Sequence, residues 1–162
     1  MKTAGVCDDE MLPQTSISYY AAVLYANARS KSENLDTAYQ YSKAVFDSAG
    51  NCILLENLIF NADKESYRLP TEAEWIYAAS AGWNAENSWN ASNSDFKTHK
   101  VCSKPKNRFE LCDMAGNAME FVNDWLGYFK DTTVTNYAGA VDGAWGERIV
   151  KGGWLSQRTS QY

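Results

Sequence analysis

The sequence predicts an α+β domain that is rich in loops, with few helices and short antiparallel strands. Three observations carry this expectation. Two segments hold helix-capping signals, two brief runs read as strands, and long stretches of Asn, Ser, Gly and Trp lie between them. Residues 1–15 read as irregular. Ser18 can cap a helix running to about Lys31, with Tyr19, Val23, Ala26 and Ser30 forming a narrow stripe at helical spacing. Ser32–Asp63 shows no sustained periodicity. Within it Asp47–Asn51 reads as a turn and Cys52–Ile59 as one or two short strands. The clearest local signal is Tyr67–Ala81. Thr71 and Glu74 form a capping box, Pro70 keeps the chain from entering the helix earlier, and Gly82 closes it. Trp75, Ala78 and Ala79 make its buried face. Glu72 and Glu74 stand in the first turn, where capping and the helix dipole account for them without catalysis. Trp83–Asn107 and Asp131–Gly146 read as long ordered loops, and Glu147–Trp154 as a strand with a glycine bulge.

Bulk properties exclude several functions. The 162 residues fit one domain, and 45% hydrophobic content allows a core. Fifteen basic against twenty acidic side chains give a net charge of −5. That balance, with scattered Lys and Arg, argues against a nucleic-acid groove. No apolar run approaches the ~18 residues of a membrane span. One lysine followed by Asp8, Asp9 and Glu10 is not a signal peptide. The aromatic share of 14% fits loops packed by rings as well as rings lining a surface. Cys7, Cys52, Cys102 and Cys112 contain no C-x-x-C pair, which argues against zinc. Cys102 and Cys112 flank one loop and can be bridged, although buried free thiols explain them equally well. His99, the single histidine, has no nearby Cys or His partner and reads as a surface residue.

The most informative stretch is Leu111–Trp125. Asp113 and Glu120 bracket an Ala-Gly-Asn turn, which a core segment does not require. A hard cation such as calcium does require it, because it takes oxygen from carboxylates and backbone carbonyls. Gly116 lets the backbone turn sharply enough to aim its carbonyls inward. Asn90 and Asp95, in the preceding loop, can also supply oxygen ligands.

Three motifs then occur in a fixed order: RLPTEAEW at Arg68–Trp75, DMAGNAMEFVNDW at Asp113–Trp125, and ERIVKGG at Glu147–Gly153. With the Tyr19–Lys31 helix, they resemble the formylglycine-generating-enzyme family, also called the sulfatase-modifying-factor domain. The resemblance implies the variant of the C-type-lectin fold that this family adopts, spread over 1–162 as a single, partial domain. The family's opening strands would lie before Met1 and its closing strand beyond Tyr162, so a fragment or truncated paralogue is expected. The resemblance also implies structural calcium. One site falls on the Asp113 and Glu120 side chains with the Gly116 and Ala118 carbonyls. A second falls on Asn90, Ala91 and Asp95, with a carbonyl from Lys97, in a loop shorter than the family's.

Departures from the family pattern bear on activity. Active members bind copper through two cysteines shortly after the Gly-Gly of the last motif. Their positions fall on or near Gln157 and Tyr162 here, and no cysteine follows Gly153. Cu(I) needs soft sulfur ligands, so copper is not expected. Trp154 stands where the family commonly has Ser, and Met119-Glu120-Phe121 replaces its frequent Trp-Glu-Trp. The expectation is therefore a non-catalytic, calcium-stabilised binding or structural module whose ligand is a protein or a glycan. A diversified ligand-binding variant of the same fold belongs to this reading. The alternative is a formylglycine-generating oxidoreductase acting on a sulfatase cysteine. Calcium and cysteine pairing point toward an extracytoplasmic setting.

Overall fold

Helix α1, Tyr19–Ser32, starts where its cap predicts. Ser18 Oγ accepts from Ala21 N at 3.0 Å and donates to the Cys52 carbonyl, tying the helix start to the next strand pair. The computed structural model describes residues 11–82, 85–127, 137, 139, 140, 143 and 146–153. These fall into two compact units, residues 16–69 and residues 11–15 with those from 70 onward. In the first unit the expected stripe of α1 is buried, with Asn27 added to it. The helix ends in a Schellman arrangement. Asn34 takes the left-handed position at φ 59°, its N–H reaches Lys31 O, and Leu35 N reaches Ser30 O.

Four short strands follow. β1 (Tyr39–Gln40) pairs antiparallel with β4 (Ile59–Phe60), and β2 (Lys43–Phe46) with β3 (Cys52–Glu56). The two ladders are one interrupted hairpin, closed by the Asp47–Asn51 turn, where Asp47 Oδ1 accepts from Ala49 N and Asn51 N. The interruption lies where Asn57 adopts φ 53° and its Nδ2 donates to Ser42 Oγ. Cys52–Ile59 was legible as strand. β1 and β2 were not, because two residues show no period and β2 has no fully buried residue. α1 packs on β3. Between α1 and β1 Asn27 replaces a missing ladder: its Nδ2 donates to Tyr39 O at 2.8 Å, and its Oδ1 accepts from Tyr39 N at 3.3 Å. Tyr39 is 1% exposed, so no water can stand in for either bond.

In the second unit, α2 (Glu72–Ser80) begins with both halves of the expected capping box. Trp75 is buried, whereas Ala78 and Ala79 are half-buried rather than fully enclosed. Gly82 lies just past the helix at φ 97°, as its position predicts. β5 (Glu120–Trp125) pairs antiparallel with β6 (Arg148–Lys151), and α2 lies against both. β5 escaped the sequence reading because Val122, Asn123 and Asp124 are buried in succession, which destroys the alternation of a half-buried strand. A register irregularity between Phe121 and Trp125 accompanies this.

Asp124 Oδ2 accepts from Glu72 N at 2.8 Å, at the first turn of α2. Burial pushes its carboxyl up, the bond from Glu72 N opposes this, and the Glu72 and Glu74 charges add to it. Lys151 Nζ lies 3.0 Å from Glu72 Oε1 and joins β6 to the same helix end. Among the described residues no helix is long and apolar enough to cross a membrane.

Asn27→Ala removes the amide that pairs with the buried Tyr39 N–H and C=O. It should lower the unfolding free energy by about 2–3 kcal/mol in urea titrations followed by circular dichroism. Tyr25→Ala, at a position 67% exposed, should change it by less than about 0.5 kcal/mol.

Candidate metal centre

The turn that follows Cys112 is held in place by backbone, and this is why glycine is needed there. Gly116 has φ 82°, its N–H donates to Gly152 O, and it bridges in parallel with Trp89. A Cβ at Gly116 would collide with the Trp89 carbonyl, so no other residue fits. Asn117 comes next, 1% exposed and at φ 62°. Its N–H donates to Trp89 O, its Oδ1 accepts from His99 N at 2.8 Å, and its Nδ2 donates to His99 O at 3.1 Å. One amide thus clips the Trp89–His99 loop to the Asp113–Glu120 turn. The His99 ring stacks on Trp89 with centroids 3.6 Å apart, and its Nε2 lies 3.0 Å from Ser94 O. His99 is therefore a packed loop residue, not the surface histidine expected.

This turn borders a cavity of about 250 Å³. Asp113, Gly116, Ala118 and Glu120 all line it, beside Cys102 and Cys112. Asp113 Oδ2 accepts from Cys102 N at 2.9 Å and from Asn117 Nδ2 at 3.4 Å. Glu120 Oε2 accepts from Trp75 Nε1 at 2.6 Å, so α2 aims a carboxylate that β5 carries. Burial pushes the Glu120 carboxyl above the ordinary glutamate range, the Trp75 bond opposes this, and the Asp113 charge raises it further. Two acids held at one partly buried cavity repel each other unless a proton or a cation stands between them.

The donor set fits a hard cation. Among the described residues no three His, Cys, Asp or Glu side chains converge, so a metal here would take the rest of its shell from backbone. Asp113 and Glu120 bring carboxylate oxygens and no free thiol to the cavity that Gly116 and Ala118 also line, the Gly116 carbonyl already accepting from Ala118 N at 2.8 Å. Asn90, Ala91 and Asp95 are arranged differently. Asn90 Oδ1 accepts from Ser92 N and Ser92 Oγ, and Asn90 O accepts from Asn93 N and Ser94 N, so its oxygens serve a closed turn. Asp95 is exposed, at φ 50°.

Cys102 and Cys112 are joined in a disulfide, which decides between the two readings the sequence allowed. Closing a loop of this length stabilises by about 3 kcal/mol through the unfolded chain's entropy. Cys52 is buried and free, and burial pushes its thiol up. Cys7, Trp154, Gln157 and Tyr162 lie outside the described residues, as does most of the Asp131–Gly146 loop. Sequence reasoning placed Trp75 in the core without seeing it as the partner of Glu120, 45 residues away. It also gave Asn117 no task. An Asn directly after a turn glycine was the one available signal.

With fold and cavity in view, likeness to known proteins gains meaning. The chain belongs to the sulfatase-modifying factor enzyme 1-like domain family, whose pattern matches residues 3–162. Its helices and short antiparallel strands form the α+β, formylglycine-generating-enzyme type of lectin-like fold. It is similar to the chaperone protein LppX of Paenibacillus barcinonensis, at 29% identity over 91% of this chain and 60% of that protein. Among solved structures it is similar to Treponema denticola variable protein 1, with a TM-score of 0.76 and 27% identity over 91% of this chain and 62% of that one. It is also similar to CarF, with a TM-score of 0.63 and 28% identity over 94% of this chain and 60% of that one. The chain thus spans less than two thirds of the length of each of these three.

The raised carboxyl of Glu120 gives a pH signature. The folded state holds this proton more tightly than the unfolded chain does, so ionising Glu120 destabilises the fold. That penalty is absent below the ordinary glutamate range and complete above the raised folded value. In chelator, unfolding free energy should therefore rise as pH falls through this window. Glu120→Gln keeps an acceptor for Trp75 and should flatten that part of the curve. A variant curve parallel to the parent's would count against the burial of charge at this position.

Proposed function

We propose that the chain is a non-catalytic binding or structural module of its family, with calcium held at the Asp113–Glu120 cavity as a structural ion. The observation that carries this reading is the contrast between oxygen and sulfur ligands. Asp113, Gly116, Ala118 and Glu120 border one cavity, whereas among the described residues no free thiol borders it. Cys102 and Cys112 are joined to each other, Cys52 is enclosed in the other unit, and no cysteine lies between Gly153 and Tyr162. Cu(I) binds thiolates, and the Gln157 and Tyr162 side chains do not replace them.

Calcium bound there would neutralise the repulsion between Asp113 and Glu120. The residues themselves do the positioning: Trp75 aims Glu120, Cys102 N–H and Asn117 aim Asp113, and Gly116 lets the turn lie against Trp89. A stiffened loop framework suits the display of variable contact residues. The likeness to Treponema denticola variable protein 1 agrees with this use of the fold. Asn90, Ala91 and Asp95 are a second place for calcium in this reading, which then requires the Asn90 turn to open. The ligand is a protein or a glycan, and a disulfide among the loops favours an oxidising, extracytoplasmic setting.

Calcium at 100-fold its dissociation constant should stabilise the fold by about 2.7 kcal/mol relative to chelator. For a chain of this size the melting temperature should rise by roughly 5–10 °C. Glu120→Gln should abolish most of that rise, and identical parental melts in calcium and chelator would sink the site. The non-catalytic half has a separate test. A cysteine-containing sulfatase peptide incubated with the protein, copper and oxygen should keep its mass. Conversion of that cysteine to formylglycine in mass spectrometry would establish the oxidoreductase instead.

A further inference from the structure

The disulfide is part of the cavity's wall. Cys102 and Cys112 line the same space as Asp113 and Glu120. Cys112 immediately precedes Asp113 in the chain, and the Cys102 N–H is a hydrogen-bond donor to the Asp113 carboxylate, at 2.9 Å. The S–S bond and this hydrogen bond therefore join the same two strands of loop, one covalently and one through a cavity carboxylate. Both ends also hold backbone conformations that L-residues avoid, with φ 56° at Cys102 and 52° at Asp113. Such conformations persist only where their surroundings fix them.

The far end of the bridged loop is anchored independently. Asn107 Nδ2 donates to Ala78 O at 2.7 Å, Arg108 N donates to Ala81 O, and Asn107 Oδ1 accepts from Phe109 N and Leu111 N. Those bonds hold the 107–111 segment to α2 whether or not the sulfurs are joined. The disulfide's local effect thus falls at the cavity, where it acts with the Val101 N–Met11 O and Trp89 Nε1–Ser103 Oγ bonds to keep the Cys102 N–H on Asp113. Cys102 is exposed, so a dithiol can reach the bond.

From this geometry we infer that the Cys102–Cys112 disulfide sets the cation affinity of the Asp113–Glu120 cavity, making calcium binding redox-dependent. The inference rests on the calcium reading above and adds regulation to it. Reduction by a dithiol takes two electrons and two protons into the S–S bond, leaves two thiols, and converts the reductant to its own disulfide. With the bond open, the 102 and 113 backbones relax from their left-handed conformations and Asp113 loses its amide donor. The carboxylate then keeps only the longer bond from Asn117 Nδ2, at 3.4 Å, and the ion has to supply more of its ordering. Loss of one charge-assisted hydrogen bond corresponds to roughly tenfold weaker binding. Linkage requires the reciprocal effect: calcium must make the disulfide harder to reduce by the same factor, which for a two-electron couple is about 30 mV per tenfold.

The test titrates calcium into the full chain by calorimetry, oxidised and after reduction with dithiothreitol. Near-ultraviolet circular dichroism follows tertiary packing in both states. The Cys102→Ser/Cys112→Ser variant is titrated in parallel, without reductant. The expected result is roughly tenfold weaker binding in the reduced protein and in the variant, with tertiary signal retained. In dithiothreitol redox buffers the bond's midpoint should move about 30 mV more negative with saturating calcium. Equal affinities in the two redox states overturn the coupling and leave the calcium site standing. No calcium binding by the oxidised protein overturns both. Loss of the near-ultraviolet signal on reduction also overturns the coupling, because the bond is then a staple of the fold and not a setting of the cavity.

Discussion

Buried loop backbone has to find hydrogen-bond partners without a ladder, and asparagine amides supply them throughout this protein. An amide carries a donor and an acceptor on one planar group, so it can pair with both backbone groups of a single residue. Asn117 does this for His99, and Asn27 does it for Tyr39. Asn107 does a related service, taking the N–H groups of Phe109 and Leu111 while donating to Ala78 O. The constraint is strict, because an unpaired buried backbone group costs about 1–3 kcal/mol. The loops that wall the cavity keep their shape for this reason, and the cavity inherits its geometry from them.

The second tension is electrostatic. Asp113 and Glu120 stand at one cavity, and both are positioned by donors: Cys102 N–H and Asn117 for the first, Trp75 for the second. The donors fix orientation without cancelling the charge. A structure that spends three separate elements on aiming two like charges at one space stores repulsion that a proton or a cation can relieve. A similar tension exists at Asp124, where the Glu72 N–H at the start of α2 opposes burial without outweighing it. Glu120, with Asp113, also borders a cavity of about 250 Å³.

Much of this is legible in the sequence alone. Capping reads from sequence because its partners are three residues apart, and both Ser18 and Thr71 start their helices as their spacing implies. The α1 stripe reads for the same reason, since burial repeats with the helical turn. β5 did not read, because three successive residues are buried and a strand without alternation resembles a loop. The Ala78 and Ala79 pair was overestimated because small side chains mark close approach and not full enclosure. The Asp113–Glu120 pair was visible as an unusual spacing of acids about a glycine, since both acids and the turn between them are local in the chain.

The sequence by itself determined the family, the fold class, the two helices with their caps, and the acids at the Leu111–Trp125 turn. All of these depend on residues within a few positions of one another, or on motifs in a fixed order. The tertiary structure alone decided that Cys102 bonds Cys112, that Trp75 holds Glu120 from 45 residues away, and that Asn117 clips His99. It also decided that the disulfide and the carboxylates share one cavity. Those facts are distances between segments whose separation along the chain carries no period, and only the folded loops bring them within hydrogen-bonding reach.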